Sequence, residues 1–467
     1  MGVSRARPSR VCSIILSTLL AVLGVSVFAL WFGMNSDQDN VHPLLTQLIP
    51  AGHCSCQSST IFNCSSSDDP IYGCPITIAP SPAPPEWEYD YVRDHANWGL
   101  FPQQCHSAFP GLFEDVDRAA RYWEERQGLS TGVLDAIPLR PGMARALIHD
   151  GKLYVVEAHA AQEDHRRKIV GILSSIHRAL TASTPPDPSM SVNHPTLEFV
   201  FSIEDKLEDI ANPRKNDPIW VLGRKTTEES VWLMPDFGFW AWENQFNQIG
   251  PFDQVVGRIV AREREIPWEK KKKQLVWRGK LSFAPKLRRA LLEAARNKPW
   301  GDVKELVWKK KDNFLPMDEH CDYMFIAHVE GRAFSSSLKY RQACRSVIVS
   351  HELQYIQHHH YLLQSSGPQQ NFVQVSRDFS DLEPAIEDLL ANPEKARRIA
   401  DKSVEVFRER YLTQAAEACY WRYLFSEYAR VFNPAHPLGD CSERCGLRYE
   451  SFMLLPSQDM MDFKYAD

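Results

Sequence analysis

Short apolar runs alternate with amphipathic stretches through most of this chain, and this alternation limits the fold more than any other feature. Runs of this length and composition are typical of strands buried on both faces. The predicted strands are Leu197–Ile203, Ile219–Leu222, Gln274–Trp277, Asp322–Ala327 and Ser346–Val349. The predicted helices are Leu112–Gln127, Glu163–Thr181, Pro285–Arg296, Leu382–Tyr411 with a break at Asn392-Pro393, and Ala415–Phe432.

Alternating strands and helices predict an α/β fold with mostly parallel sheets, in which ligands bind beyond the carboxyl ends of the strands. A hairpin around Asp150-Gly151 is also predicted, because turn residues there separate two alternating runs. The roughly 380 residues from Trp87 onward exceed the roughly 250–300 at which a single core usually divides. Two domains are therefore expected.

The N-terminus carries an uncharged apolar run from Val11 to Gly33, preceded by three arginines. At 1.5 Å per residue it would reach roughly 34 Å, enough to cross a hydrocarbon core of about 30 Å. A cleaved signal peptide would have a shorter apolar region ending in small residues, whereas this run ends in Trp31-Phe32. The prediction is a cytosolic tail over 1–10, a single-pass type II anchor over 11–33, and a remainder in the lumen of the Golgi or endoplasmic reticulum.

Residues 34–86 are rich in Ser, Pro, Asp and Cys, which predicts a stalk. Cys12 lies in the predicted anchor, and the other ten of the 11 cysteines follow it. An even number in an oxidising compartment predicts disulfides, but the sequence alone does not define their pairing. Asn63-Cys64-Ser65 is a glycosylation sequon.

Charge and motifs exclude some functions. A net charge of −6 and a pI near 6.3 give no reason to expect nucleic acid as a partner. Asp236-Phe237-Gly238 matches a kinase triplet, but the chain has no Gly-rich phosphate loop and no HRD motif. The run His358-His359-His360 is not expected to bind a metal, because consecutive helical residues point in different directions. No metal site is expected.

Five segments appear together in one order. They are QGLSTGVLDAI (127–137), HDGKLYVVEAH (149–159), MPDFGFWAWEN (234–244), IPWEKKKKQLVWRGK (266–280) and CDYMFIAHVEGRAFSSSLKYRQACRSVIV (321–349). Together they resemble glycosyltransferase family 90, which includes Rumi, protein O-glucosyltransferase and the fungal capsule-associated proteins, and the match is nearest to the fungal type. The resemblance covers about residues 90–432.

The resemblance implies two Rossmann-like domains of the GT-B type. An acceptor-side domain is expected over 87–255 and a nucleotide-sugar domain over 256–432, followed by a tail over 433–467. It also implies an inverting enzyme that moves xylose or glucose from a UDP-sugar to a hydroxyl of a glycan, glycolipid or protein, with no tightly bound cofactor. The alternative is a catalytically inactive, carbohydrate-binding relative.

The resemblance also points to the residues that would bind the donor. Arg278 ends a predicted strand, and its planar guanidinium suits diphosphate oxygens. The Rumi branch has an arginine where this chain has Ser337. Either Arg332, Lys339 or Arg341 would supply the missing charge, or the diphosphate would be held mainly by Arg278 and the backbone amides of the loop. The expected donor-binding residues are Arg278, Gly279, Arg332, Ala333, Phe334, Ser335, Ser336, Ser337 and Lys339.

The identity of the catalytic base is undecided, because the family's aspartate aligns with Thr196, which cannot act as a base near neutral pH. Asp205, just beyond a predicted strand, is the first candidate, with Glu198 and Asp236 as alternatives. On the acceptor side the family has an aromatic segment, which here places Phe239, Trp240 and Trp242 against a sugar ring. Core packing is the alternative role for these rings.

Overall fold

The computed structural model describes residues 87–182, 195–210, 216–240, 249–307, 312–433 and 446–465. The strands are β1 (Leu129–Ser130), β2 (Met143–His149), β3 (Lys152–His159), β4 (Leu197–Ser202), β5 (Trp220–Val221), β6 (Arg224–Lys225), β7 (Trp232–Leu233), β8 (Lys272–Gly279), β9 (Gly301–Glu305), β10 (Tyr323–His328), β11 (Val347–His351), β12 (Tyr355–Ile356), β13 (Val373–Val375), β14 (Phe432–Asn433), β15 (Leu447–Arg448) and β16 (Asp462–Lys464).

The α-helices are α1 (Tyr91–Asp94), α2 (Pro102–Ala108), α3 (Glu114–Glu124), α4 (Thr131–Asp135), α5 (Glu163–Thr181), α6 (Leu207–Ile210), α7 (Phe252–Glu265), α8 (Pro285–Ala294), α9 (Leu338–Gln342), α10 (Leu382–Ala391), α11 (Pro393–Ser403), α12 (Gln414–Val431) and α13 (Tyr449–Phe452). A π-helical stretch, Val404–Tyr411, continues α11.

Each apolar run predicted as a strand contains one, and each predicted helix is present. The predicted break is also confirmed, since α10 ends at Ala391 and α11 begins at Pro393. Proline lacks the N–H that a helix interior needs, but it fits a first turn, where that N–H would have no partner.

The five-stranded sheet is wholly parallel, in the order β13-β11-β10-β8-β9. In chain order this is the doubly wound 2-1-3-4-5 arrangement, whose direction of winding reverses between its first and third strands. Here those strands are β8 and β10. Connections leave the sheet to opposite sides at this place, so a crevice opens beyond the carboxyl ends of β8 and β10.

Alternate residues of the central strands face opposite sides of this sheet, as the period of two requires. Leu275 and Phe325 pack with the apolar residues of α8, α10 and α11. Val276, Ile326 and Ile348 pack with α7 and α9 on the other side. Both faces are therefore covered by helices, which explains why these strands read as continuous apolar runs.

The other large sheet, in the order β15-β3-β2-β4-β5-β7, corrects the expectation of mostly parallel sheets. Only β4, β5 and β7 are parallel to one another, while β2 pairs antiparallel with both β3 and β4. The cause is the predicted hairpin, whose turn residues Asp150 and Gly151 have φ of 49° and 67°. A two-residue turn of this kind joins only antiparallel strands.

The chain returns to this mixed sheet at its C-terminal end. Helix α12, expected with the nucleotide-sugar domain, packs on the mixed sheet, where Trp421, Phe425 and Tyr428 surround the buried Trp220. The stretch predicted as a tail supplies β15 and β16, which pair with β3. The predicted boundary after residue 255 falls inside α7, whose buried residues pack under the parallel sheet.

Two disulfides are present among the described residues, in agreement with the cysteine prediction. Cys105–Cys419 joins α2 to α12, and Cys321–Cys344 joins the start of β10 to the chain after α9. Residues from Pro85 onward form one compact unit. In the part of the chain described, no helix is long and apolar enough to cross a membrane. The expected anchor, the stalk and Asn63 lie outside the described residues.

The histidine run is buried, and this predicts a pH-dependent stability. Burial lowers the pKa of His358 to about 3 and that of His360 to about 4. Below the usual histidine pKa of about 6.5, the unfolded chain binds protons that the folded chain does not. Urea unfolding should therefore show the free energy of unfolding falling from pH 6.5 toward pH 4, by roughly 1 kcal/mol per pH unit for each histidine.

His359→Leu tests this explanation, because it removes one buried histidine of the run. Both ring nitrogens of His359 are buried without a hydrogen-bond partner among the described residues. Burial lowers the pKa of His359 as well. The leucine variant should show a flatter dependence of stability on pH than the wild type. Equal slopes for the two proteins would contradict this explanation.

Candidate functional site

A cavity of about 280 Å³ lies at the carboxyl ends of β8 and β10, where the winding of the parallel sheet reverses. Three kinds of side chain line it: cationic groups, three consecutive serines and apolar groups. The main lining residues are Trp277, Arg278, Gly279, Lys280, Phe283, Arg288, Leu306, Phe314, His320, Ser335, Ser336, Ser337 and Arg341.

The charged side chains that line this cavity, among the described residues, are all positive. Arg278, Lys280, Arg288 and Arg341 all line it, and no carboxylate is among the described residues that do. A buried positive charge is stabilised by a partner of opposite charge, so a cavity of this composition suits a multivalent anion.

Arg288, on the first turns of α8, is buried and hydrogen bonded only to backbone oxygens among the described residues. Its Nε donates to Glu330 O at 3.0 Å, and its Nη1 donates to Lys280 O at 2.6 Å. Burial lowers its pKa to about 10, so the guanidinium keeps its charge at neutral pH. Sequence analysis missed Arg288, because nothing in the sequence separates it from its exposed neighbour Arg289.

Arg341, on α9, is the second buried cation. Its Nη1 donates to Ala327 O at 2.9 Å, and its Nε has no partner among the described residues. Burial and the positive charge of Arg288 lower its pKa to about 9. Sequence analysis named Arg341 only as one of three possible sources of the charge missing at Ser337. The structure brings Arg341 into the cavity and leaves the other two, Arg332 and Lys339, outside its lining.

Arg278 also lines the cavity, but some of its N–H donors are used in an ion pair and in hydrogen bonds to the backbone. Its Nη2 donates to Asp302 Oδ2 at 2.8 Å, and its Nη1 donates to the carbonyl oxygens of Trp277 and Asp302 at 2.9 and 2.5 Å. Tyr323 Oη donates to the same carboxylate at 2.6 Å. These bonds use three of the five guanidinium N–H donors and fix the direction of the group. Arg278 is thus a preoriented member of the site.

Gly279 is required by packing. A Cβ at this position would lie 2.5 Å from the ring of Trp277, whose side chain is buried in the core. Only glycine leaves room for that ring, and the backbone of residue 279 therefore borders the cavity directly.

The loop after β10 divides its residues between two roles. Ser335, Ser336 and Ser337 line the cavity, with Ser335 Oγ and Ser337 Oγ 2.9 Å apart. Ala333 and Phe334 instead pack into the core of the mixed sheet. The serines therefore line the cavity, and their binding of the donor stays a prediction, while Ala333 and Phe334 hold the loop between the two sheets.

Two further residues of this region form ion pairs outside the cavity lining. Arg332 Nη2 lies 3.1 Å from Asp209 Oδ2, on α6. Lys339 Nζ lies 2.8 Å from both carboxylate oxygens of Asp236, and both side chains are almost fully buried. Lys339 also donates to Ser336 O at 3.2 Å. The ion pair therefore connects the segment after β7 to the serine loop. The Lys339 ammonium and the Asp236 carboxylate are each other's charged partners.

The three candidate bases lie in different surroundings. Glu198 pairs with Arg145 Nε at 2.6 Å near the amino end of β4, the end remote from where ligands gather. Thr196 lies at the same end, with its Oγ1 3.1 Å from His149 Nδ1. Asp236 is held by Lys339.

Asp205 follows the carboxyl end of β4. The residue is exposed, yet the protein around its carboxyl group raises its pKa by removing water, against the opposing effect of Lys168 and Arg332. A carboxylate with a raised pKa that remains accessible has the properties of a general base. Among the three candidates, Asp205 is the one outside an ion pair in the described structure.

The two described residues of the aromatic segment pack against neighbouring side chains. Phe239 packs on Phe252 in the core beneath the parallel sheet. Trp240 is half-buried and meets Trp98, with the Arg178 guanidinium 4.9 Å from the Trp240 ring. Trp242 lies outside the described residues. Within them, no three His, Cys, Asp or Glu side chains lie together in a way that could hold a metal ion.

Comparison with protein families gives one match that covers most of the chain. The model of "Glycosyl transferase family 90" matches residues 103–439. This range includes the parallel sheet, the mixed sheet except for β15 and β16, the cavity and every described candidate residue discussed above.

Individual relatives are distant. Human protein O-glucosyltransferase 1 is 23% identical over 256 residues, which are 51% of this chain and 64% of that protein. The Aedes aegypti O-glucosyltransferase rumi homolog is 25% identical over 51% of this chain and 62% of its own. The match thus spans somewhat less than two thirds of these relatives. A crystal structure of Anabaena HepE in complex with UDP and glucose is 10% identical, with a TM-score of 0.30, over 54% of this chain and 73% of that one.

The buried pair Lys339–Asp236 predicts a large stability effect. Lys339→Met should destabilise the folded protein by about 3–5 kcal/mol, because Asp236 would keep a buried charge without a partner. Adding Asp236→Asn removes that charge and keeps an acceptor for the Gly238 N–H, so most of the loss should be recovered. Urea unfolding of both variants measures this. If the free energy of unfolding of Lys339→Met alone lies within about 0.5 kcal/mol of the wild-type value, the prediction is contradicted.

Proposed function

The chain belongs to glycosyl transferase family 90, and we propose that it transfers a sugar from a UDP-sugar to a hydroxyl group of a glycan, glycolipid or protein. The observation that carries the proposal is the cavity between β8 and β10, which is lined by four cationic side chains and by no described carboxylate. A nucleoside diphosphate supplies the negative charge that this cavity lacks, and its position matches where doubly wound sheets bind nucleotides.

The cationic side chains would assist the reaction through the leaving group. As the bond between sugar and diphosphate breaks, negative charge grows on the diphosphate oxygens. Arg288 and Arg341 are already held in a water-poor cavity, so they stabilise this charge without first reorganising. Arg278 contributes its remaining N–H donors in a direction set by Asp302. The hydroxyls of Ser335 and Ser337 can donate to the same oxygens.

Asp205 is proposed as the base that accepts the proton of the acceptor hydroxyl. It follows β4 at the carboxyl edge of the mixed sheet. Arg332, of the loop after β10, pairs with Asp209 four residues further along the chain, so this loop lies close to the segment that carries Asp205. In an inverting transfer, the acceptor oxygen bonds to the anomeric carbon on the face opposite the departing UDP, and the proton passes to the carboxylate.

Further features follow from the family and the sequence rather than from the described site. We infer a GT-B type arrangement in which the mixed and parallel sheets form the acceptor and donor halves. Xylose or glucose is the proposed sugar, and glucose gains support from the names of the relatives. The type II anchor over 11–33 and location in the Golgi or endoplasmic reticulum complete the proposal.

The donor assignment predicts specific losses of UDP binding. Arg288→Ala and Arg341→Ala should each weaken UDP binding and lower turnover by about 10²–10³-fold, the usual effect of removing one preorganised donor. The measurements are the UDP-induced shift in melting temperature and release of UDP from a panel of UDP-sugars.

Arg289→Ala is the matched control, since Arg289 is the exposed arginine beside Arg288 on α8. It should leave both measurements unchanged. Normal UDP binding in Arg288→Ala and Arg341→Ala together would end the donor assignment. Normal glycan binding by the wild type without turnover of any donor would favour an inactive, carbohydrate-binding relative.

The base assignment makes a separate prediction about turnover. Asp205→Asn should lower the turnover number by about 10²–10⁴-fold while UDP binding stays normal, because the base acts on the acceptor. Glu198→Gln tests the alternative and should leave turnover near the wild-type value, since Glu198 is paired with Arg145. Equal turnover in Asp205→Asn and the wild type would remove Asp205 from the mechanism.

A further inference from the structure

The disulfide Cys321–Cys344 encloses the loop that forms much of the donor cavity. The two cysteines are 23 residues apart, and Ser335, Ser336, Ser337 and Arg341 all lie between them. We infer that this disulfide positions Arg341 for the diphosphate, so that donor affinity depends on the bond. The inference rests on the proposed function, because it assumes that the cavity binds a diphosphate.

Arg341 lies on a helix that is too short to be stable by itself. Helix α9 has only five residues, and helices this short are not stable without tertiary contacts. Cys344 follows directly after its last turn, and its N–H donates to Arg341 O at 3.0 Å. The covalent bond therefore holds the backbone within one turn of Arg341.

Cys321 is itself firmly held. The buried Lys271, at the start of β8, donates from Nζ to Cys321 O at 2.7 Å. Ser346 Oγ donates to Tyr323 O at 2.6 Å, which joins the start of β10 to the chain just after Cys344. Both cysteines are buried. The disulfide thus ties α9 to the fixed amino ends of the central strands.

Arg341 needs such an anchor because its position is electrostatically unfavourable without a ligand. It is buried and lines the same cavity as Arg288, whose positive charge lowers the pKa of Arg341. Its hydrogen bonds do not compensate, since its Nε has no partner among the described residues. If the backbone could shift, Arg341 could relax toward water. The disulfide opposes that shift and keeps the cation ready for an anion.

The test removes each disulfide in turn. Cys321→Ala with Cys344→Ala should weaken UDP and inorganic pyrophosphate binding by about tenfold or more. The Michaelis constant for the donor should rise more than the turnover number falls. The control is Cys105→Ala with Cys419→Ala, which removes a buried disulfide between α2 and α12 on the mixed sheet. It should lower the melting temperature but leave both affinities unchanged, measured by calorimetry below the melting transition.

A double-mutant cycle separates positioning from general stability. In an Arg341→Ala background, removing Cys321–Cys344 should cause little further loss of affinity, because the group that the disulfide positions is already absent. Unchanged affinity in the first cysteine variant, or an equal loss with and without Arg341, would overturn the inference. If that variant does not fold, Cys344→Ala alone, which leaves Cys321 as a buried thiol, provides the same comparison.

The two probes keep the inference distinct from the proposed function. A wild-type protein that binds pyrophosphate but not UDP would refute the proposed donor, while pyrophosphate would still report on the disulfide. A wild-type protein that binds neither would overturn both, since the cavity would then have no anion to receive.

Discussion

The reversal of winding between β8 and β10 is the constraint on which the site depends. Because connections leave the parallel sheet on opposite sides at this place, a crevice opens beyond the carboxyl ends of these two strands. Arg278 arrives there at the end of β8, and the serine loop arrives at the end of β10. Helices α8 and α9 then bring in Arg288 and Arg341 from connections that follow different strands.

Buried charges in this protein fall into two groups with different consequences. Lys339 with Asp236 and Arg278 with Asp302 have their counter-charges within the fold, so they fix local geometry. Among the described residues, Arg288 and Arg341 have backbone hydrogen-bond partners, and no carboxylate pairs with either of them. Holding two such cations together is unfavourable for the protein alone, and it becomes favourable when an anion binds. Arg288 and Arg341 would therefore gain most from a bound anion, whereas Arg278 keeps Asp302 as its counter-charge and has only its remaining N–H donors to offer.

The architecture also depends on contacts between distant parts of the chain. The mixed sheet is completed by β15 and β16 and covered by α12, all of which follow the parallel sheet in sequence. Cys105–Cys419 fixes the same relation covalently, across a separation of 314 residues. Ala333 and Phe334 of the serine loop pack into the mixed-sheet core. The cavity loop is therefore held by both sheets.

The central strands, the long helices, the hairpin and the break at Pro393 could be predicted from the sequence, because they follow from local periodicity and backbone chemistry. Sequence analysis missed edge strands such as β9 and β13, whose partial exposure leaves no continuous apolar run. It also identified Arg278, Gly279 and the three serines of the cavity. The pairing of charges could not be predicted and is seen only in the folded chain. Lys339 pairs with Asp236, Glu198 pairs with Arg145, and Arg288 and Arg341 line the same cavity. Local sequence cannot encode such pairings, since they arise from the spatial order of strands and helices that lie far apart along the chain.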